Sequence, residues 1–212
     1  MKIGLLITTY NREDYLKKCL SSLSDTKKPI NTFVLGIDDG SDDLDARDTI
    51  VGSNNCNAVI VRDEPRGIHN SIKTGFDFLI NEGCDVLINL DPDTIVKPDF
   101  IQRLTDMLLK HPDKIVTGFN TTTGGRHKPV SYFDGGVYKR TIGGVNMCMT
   151  AETYQSIVRP CLVANNWDWR VCEAMQKENK YFVALTPSVV QHIGFISSMG
   201  HYDGGVDVAE DF

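Results

Sequence analysis

Three short polar clusters, each placed after an apolar run, hold the side chains best suited to chemistry: Thr8-Thr9-Tyr10-Asn11-Arg12, Asp38-Asp39-Gly40-Ser41 and Asp91-Pro92-Asp93. The last sets two carboxylates two positions apart, directly after Asn89-Leu90. Such a pair repels unless a cation lies between its members, although Asp-Pro-Asp is also ordinary turn chemistry. The 212-residue chain has a formal charge of -6. An acidic edge holds an anionic diphosphate only through a divalent metal that bridges carboxylate and phosphate oxygens. The same charge argues against nucleic acid as a partner, because non-specific binding needs a basic face.

The other polar positions each admit two readings. Asp38-Asp39-Gly40-Ser41 is either a turn or a source of a carboxylate that accepts from a base N–H or a ribose hydroxyl. Arg12 either stabilises a phosphate or is solvated on a helix face, and Tyr10 either stacks on a base or packs. Asp168, in Asn165-Asn166-Trp167-Asp168-Trp169-Arg170, either caps a helix or serves as a general base, with the chain's only two tryptophans walling a sugar-sized pocket. Gly143-Gly144 permits a tight lead into a strand, or lets a ligand lie against bare backbone. His192 follows an apolar strand and by itself reads as a packed histidine. His69, His111, His127 and His201 receive no role.

The elements that must position these residues follow from periodicity. Residues 3–7, 32–37, 57–62 and 85–90 read as strands. Between them, Asn11 is placed to cap a helix carrying Leu16, Cys19, Leu20 and Leu23 on one face, and Ile68, Ile72, Phe76 and Leu79 mark another. A third helix, with Phe100, Leu104 and Leu108, is closed by Pro112. This alternation predicts an α/β fold with a mostly parallel central sheet and helices on both faces, so that the three polar clusters converge beyond the strands' carboxyl ends. Further on, residues 115–119, 142–149 and 181–185 read as strands, 120–136 as a mobile loop or hairpin, and helices begin near Glu152 and Asp168. Residues 1–196 are expected to form one domain, with 197–212 a frayed tail or linker. Hydrophobic residues make up 41% and charged residues 24%, a globular balance. No run of about 20 apolar residues offers a transmembrane helix. The six cysteines are widely spaced with no C-x-x-C, which predicts reduced thiols and a cytoplasmic location.

In their order along the chain, the first two clusters, Gly67 with its following helix, Asp91-Pro92-Asp93, Gly143-Gly144, Trp167-Asp168 and His192 resemble the family 2 glycosyltransferases and their GT-A relatives. The resemblance spans nearly the whole chain. It implies a GT-A nucleotide-diphospho-sugar transferase fold and transfer from a UDP-sugar to a hydroxyl of a glycan or glycoprotein, with inversion. It implies that Thr8, Thr9, Tyr10, Arg12 and Asp39 hold the nucleoside, and that Pro92, Gly143, Gly144 and Trp167 lie along the donor. Asp91 would meet ribose or metal, Asp93 the metal directly, and Asp168 would be the base. A histidine at the place of His192 is the third ligand in many relatives, and an O,O,N set suits Mn²⁺ (or Mg²⁺) better than Ca²⁺. Many relatives carry an arginine in the helix after the glycine; here Ile72 and Lys73 stand there, so Arg66 or Lys73 must supply that charge. The compact chain is also similar to capsid-glycosylating domains of large chlorella viruses, which implies a viral capsid protein as acceptor and the host cytoplasm as location.

Rival classes lack their own marks. The first strand-to-helix turn has no G-x-G-x-x-G of a dinucleotide oxidoreductase, and the chain has no G-x-x-x-x-G-K-[ST]. A sugar-nucleotide pyrophosphorylase would carry a glycine- and arginine-rich first loop in place of Thr8 to Arg12. A catalytically inactive nucleotide- or carbohydrate-binding module remains the reading from another class.

Overall fold

A computed structural model describes residues 1–195, 207–209 and 211–212. In chain order the strands and helices are β1 (Ile3–Thr9), α1 (Glu13–Ser24), β2 (Thr32–Asp38), α2 (Leu44–Val51), β3 (Ala58–Val61), α3 (Ile68–Asn81), β4 (Val86–Leu90), β5 (Thr94–Val96), α4 (Phe100–Lys110) and β6 (Val116–Thr117). They continue with β7 (Pro129–Phe133), β8 (Gly136–Lys139), β9 (Asn146–Thr150), α5 (Ala151–Thr153), a π-helical turn (Tyr154–Val158), α6 (Arg159–Cys161), α7 (Trp167–Lys177), β10 (Phe182–Leu185) and β11 (Val190–His192).

The main sheet has the order β3-β2-β1-β4-β9-β6-β10-β8-β7. The pairings β3-β2, β2-β1 and β1-β4 are all parallel, whereas β9 runs antiparallel to both β4 and β6. The sheet is therefore parallel in its first half and mixed in its second. Strand alternation splits the core. Ile3, Leu5 and Ile7 of β1 join Leu16, Leu23 and Phe100 on one face, while Leu6 joins Ile72, Phe76, Tyr154 and Trp167 on the other. In chain order the chain passes from β1 through β2 to β3 on one side, then crosses to β4 on the other side of β1. That reversal opens a crevice at the carboxyl ends of β1 and β4.

Several boundaries differ from expectation for local reasons. Asn11 does not cap α1: it adopts φ 50, a left-handed conformation that asparagine tolerates, and Arg12 is the N-cap. Asn11 instead ties two loops, its N–H donating to Ser41 Oγ at 3.0 Å and its Oδ1 accepting from the Asp43 N–H at 3.0 Å. The short helix α2 is absent from the periodicity reading because only Ala46 and Ile50 are buried in it. Its signal is the cap, since Asp43 accepts from the N–H groups of Asp45 and Ala46. The strand expected over 142–149 begins at Asn146, which frees Gly143, Gly144 and Val145 to line the crevice. Residues 120–136 contain the first strand of a hairpin, β7-β8. Of the expected tail, the described residues pack back on the domain: Ala209 N–H donates to Gln191 at 2.7 Å, and Asp211 accepts from the Ser188 N–H at 2.9 Å.

All six cysteines are free thiols. Burial pushes Cys19 and Cys172 up to about 12, while Cys56 and Cys161 are only half-buried. Alkylation of the unfolded chain without reductant is expected to modify every cysteine, and alkylation of the native protein to reach Cys56 and Cys161 first. A pair protected after unfolding, read by mass spectrometry, would contradict the free-thiol assignment.

Candidate active site

A cleft of about 490 Å³ lies at the crevice. Thr8, Thr9, Tyr10 and Arg12 reach it from the end of β1, Asp39 from the end of β2, and Asp91, Pro92 and Asp93 from the end of β4. Gly143, Gly144 and Val145 line it before β9, and Trp167, Asp168 and Trp169 line it from the start of α7. Parallel strands end on one edge, which is why segments so far apart in sequence meet there. Thr9 Oγ1 is buried without a hydrogen-bond partner among the described residues, an arrangement that costs about 1–3 kcal/mol unless a ligand satisfies it.

The two aspartates ending β2 do different work. Asp38 is fully buried and accepts from the Ser41 hydroxyl, from the Ser41 N–H at 3.1 Å and from Arg47 Nε at 3.3 Å, so it shapes the turn. Gly40 in that turn has φ +75, and a Cβ there would collide with the Glu64 carbonyl carbon. Asp39 faces the cleft. Its Oδ1 accepts from Arg62 Nη1 at 2.5 Å and from the Arg66 N–H at 3.2 Å, and its Oδ2 from the Gly67 N–H at 2.8 Å. Arg62 also donates to Ser71 Oγ, Thr74 Oγ1 and the Asn70 carbonyl, fastening α3 to β3.

Asp93 is buried at the mouth of β4. Its Oδ2 takes a bond from the Arg12 guanidinium and lies 3.1 Å from His192 Nε2. The two-stranded β5-β11 sheet makes this contact, because His192 pairs with Thr94, the residue next to Asp93. Burial works against the Asp93 charge, but His192 and then Arg12 outweigh it and hold its carboxyl below the usual value. Asp91 goes the other way, pushed well up by burial and by the Asp93 charge. His192 does not itself line the cleft. Among the described residues no three His, Cys, Asp or Glu side chains are grouped to hold a metal ion. The donor types, two carboxylates at the cleft and an imidazole on one of them, do suit Mn²⁺ or Mg²⁺.

Asp168 is the second residue of α7, not its cap; Asn166 is the N-cap and makes no side-chain capping bond. Oδ1 of Asp168 accepts from the Trp169 N–H at 2.9 Å. Burial raises its pKa, against the opposing pull of backbone bonds with Trp169 and Gly144. At Gly144 a Cβ would lie 2.8 Å from the Trp167 ring, so the glycine lets that indole pack under the cleft floor.

The model of glycosyl transferase family 2 matches residues 5–135, a span that carries β1 through β4, both aspartate clusters and Gly67. The chain belongs to glycosyl transferase family 2. This family 2 chain is 28% identical over 121 residues to the glucosyl-dolichyl phosphate glucuronosyltransferase of Haloferax volcanii, covering 56% of this chain and 37% of the relative. It is 27% identical over 165 residues to the undecaprenyl-phosphate mannosyltransferase of Micrococcus luteus, covering 74% and 66%. Among solved structures, S. aureus TarS 1-349 in complex with UDP superposes with a TM-score of 0.66 at 16% identity, over 90% of this chain and 59% of that one. GalNAc-T7 with UDP, GalNAc and Mn2+ superposes with a TM-score of 0.75 at 12% identity, over 92% and 44%. These likenesses establish the GT-A fold. The family 2 chain thus spans between 37% and 66% of the lengths of the curated relatives it matches. The resemblance to chlorella virus capsid-glycosylating domains gains no support from these archaeal and bacterial relatives. No helix among the described residues is long and apolar enough to cross a membrane.

Within this family 2 frame, two expected residues lie elsewhere. Arg66 has an exposed side chain and Lys73 is half-buried, and neither lines the cleft. The arginine at Asp39 is Arg62, from the end of β3, because a buried carboxylate requires a buried cation and α3 offers none at Ile72. His127 and Arg126 also line the cleft, although the sequence reading gave His127 no role. His201 lies outside the described residues.

Proposed function

We propose that the chain is a metal-dependent glycosyltransferase that moves a sugar from a UDP-sugar to a hydroxyl of a glycan or glycoprotein, with inversion. The observation that carries this reading is that a half-buried carboxylate, Asp168, lines the same cleft as Asp91 and Asp93, at the switch point of a family 2 sheet. The UDP and Mn2+ of GalNAc-T7, and the UDP of TarS, support the donor and metal classes. Residues 1–196 would form the catalytic domain, and six free thiols favour a cytoplasmic setting.

In this reading Thr8, Thr9, Tyr10 and Asp39 hold the nucleoside, the Thr9 hydroxyl gaining its missing partner. Pro92, Gly143 and Gly144 lie along the donor, and Trp167 supports the floor. Asp91, Asp93 and His192 would hold a divalent cation, Mn²⁺ or Mg²⁺, which when bound offsets the diphosphate charge and eases its departure. Arg12, which bonds Asp93 and lines the cleft, would stabilise the phosphates. Asp168 takes the proton of the acceptor hydroxyl as its oxygen bonds the anomeric carbon, and the electrons of the breaking C–O bond leave with UDP.

Calorimetry with UDP tests the donor site. Affinity in Mn²⁺ is expected to exceed that in chelator by at least about 10-fold, near 1.4 kcal/mol, and Asp93→Asn is expected to remove most of the difference. Equal affinity in both conditions would overturn the metal bridge.

A further inference from the structure

The two tryptophans of α7 are used differently. Trp167 is buried in the core, whereas Trp169 leaves 42% of its surface exposed and faces the cleft. Its indole is not loose. It stacks on the His127 ring at 25° with 5.6 Å between centroids. That imidazole is buried, with Nδ1 2.9 Å from Thr141 Oγ1. The result is a flat apolar plate of fixed orientation in the cleft, with its backbone N–H on the Asp168 carboxylate. Such a plate suits the C–H face of a pyranose, whose ring carbons are apolar while its hydroxyls project outward.

We propose that Trp169, backed by His127, is the acceptor platform, and that the acceptor it selects is a neutral saccharide rather than a lipid phosphate. This rests on the transferase reading above and names its substrate class. A phosphate monoester is already an anion at neutral pH, so it needs a cation and no base. Here it would meet the Asp168 carboxylate beside the plate, while the nearby Arg126 already faces Asp207 at 3.8 Å. A hydroxyl is neutral and needs a base, which Asp168 supplies. Of the two curated relatives, the undecaprenyl-phosphate mannosyltransferase is named for a lipid phosphate, and the plate would mark a difference from it, whereas the name of the other relative, with glucosyl-dolichyl phosphate, already includes a sugar.

The test is saturation-transfer NMR with methyl β-glucopyranoside, methyl β-galactopyranoside and the methyl glycoside of N-acetylglucosamine, each with and without UDP and Mn²⁺. At least one glycoside is expected to bind through its ring C–H protons, about 10-fold more weakly in Trp169→Ala and close to normally in Trp169→Phe. UDP affinity by calorimetry is expected to be the same in all three proteins, which shows that the variants are folded. Farnesyl phosphate is expected neither to displace the glycoside nor to accept sugar. The proposal is overturned if no glycoside binds the unsubstituted protein, if Trp169→Ala binds as well as it does, or if farnesyl phosphate takes the site. Failure of UDP to bind would instead count against the donor reading, and the measurements without UDP would still decide the role of Trp169.

Discussion

Asp168→Asn is expected to lose about 10²–10⁴-fold of the transfer rate, the usual contribution of a positioned general base. UDP affinity should change little, because the Asp168 carboxylate bonds the Trp169 N–H and acts on the proposed metal ligand Asp91 only through its charge. The alternative role, helix capping, predicts a lower melting temperature, but Asp168 lies inside the first turn of α7 and burial opposes its charge. A carboxyl whose folded pKa is raised costs stability once pH exceeds its unfolded value, so the neutral amide should hold or raise the melting temperature at pH 7. The same raised pKa sets the pH dependence. Transfer should fall as pH drops through a value above the ordinary carboxylate range, and the part of that acidic limb owed to Asp168 should be absent in Asp168→Asn, leaving the part owed to Asp91. Retained transfer in the variant would remove Asp168 from the mechanism.

Arg62→Ala is expected to destabilise the protein by about 3–5 kcal/mol, because it strands a buried carboxylate without its cation. Both side chains are nearly inaccessible, at 9% and 8% for Arg62 and Asp39. The arginine also holds Ser71, Thr74 and the Asn70 carbonyl, so its loss loosens the start of α3 as well as the Asp39 side of the cleft. Replacing both members, Asp39→Asn with Arg62→Met, should restore part of the stability while UDP affinity stays low. Urea unfolding separates these outcomes, and a loss below about 1 kcal/mol in Arg62→Ala would mean the pair is screened like a surface one.

The parallel half of the fold was legible because β1, β2 and β4 are continuous apolar runs and each ends in a polar cluster. The same rule brought Thr8, Asp39, Asp91 and Asp93 to one cleft. Long-range partners were not legible. Nothing local ties Arg62 to Asp39, or His192 to Asp93 across 99 positions; the first needs the β2-β3 pairing and the second the β5-β11 pairing. Arg62 closes the strand expected over 57–62 and received no role there, whereas Arg66 precedes, and Lys73 lies in, the helix in which relatives carry the arginine. His127 was missed because its partner, Trp169, lies 42 positions away and meets it only when α7 docks beside the loop before β7. The short α2 had too few buried residues for periodicity, although its Asp43 cap was a usable mark.

Incubation with UDP-sugars, Mn²⁺ and the methyl glycosides, followed by mass spectrometry of the products, tests the transferase account most directly. A glycoside heavier by one sugar residue should form together with one equivalent of UDP, and the rate of both should fall about 10²–10⁴-fold in Asp168→Asn. A nucleotide sugar that binds, as read by a raised melting temperature, but is recovered unchanged beside an unmodified acceptor would contradict the account and leave a binding module.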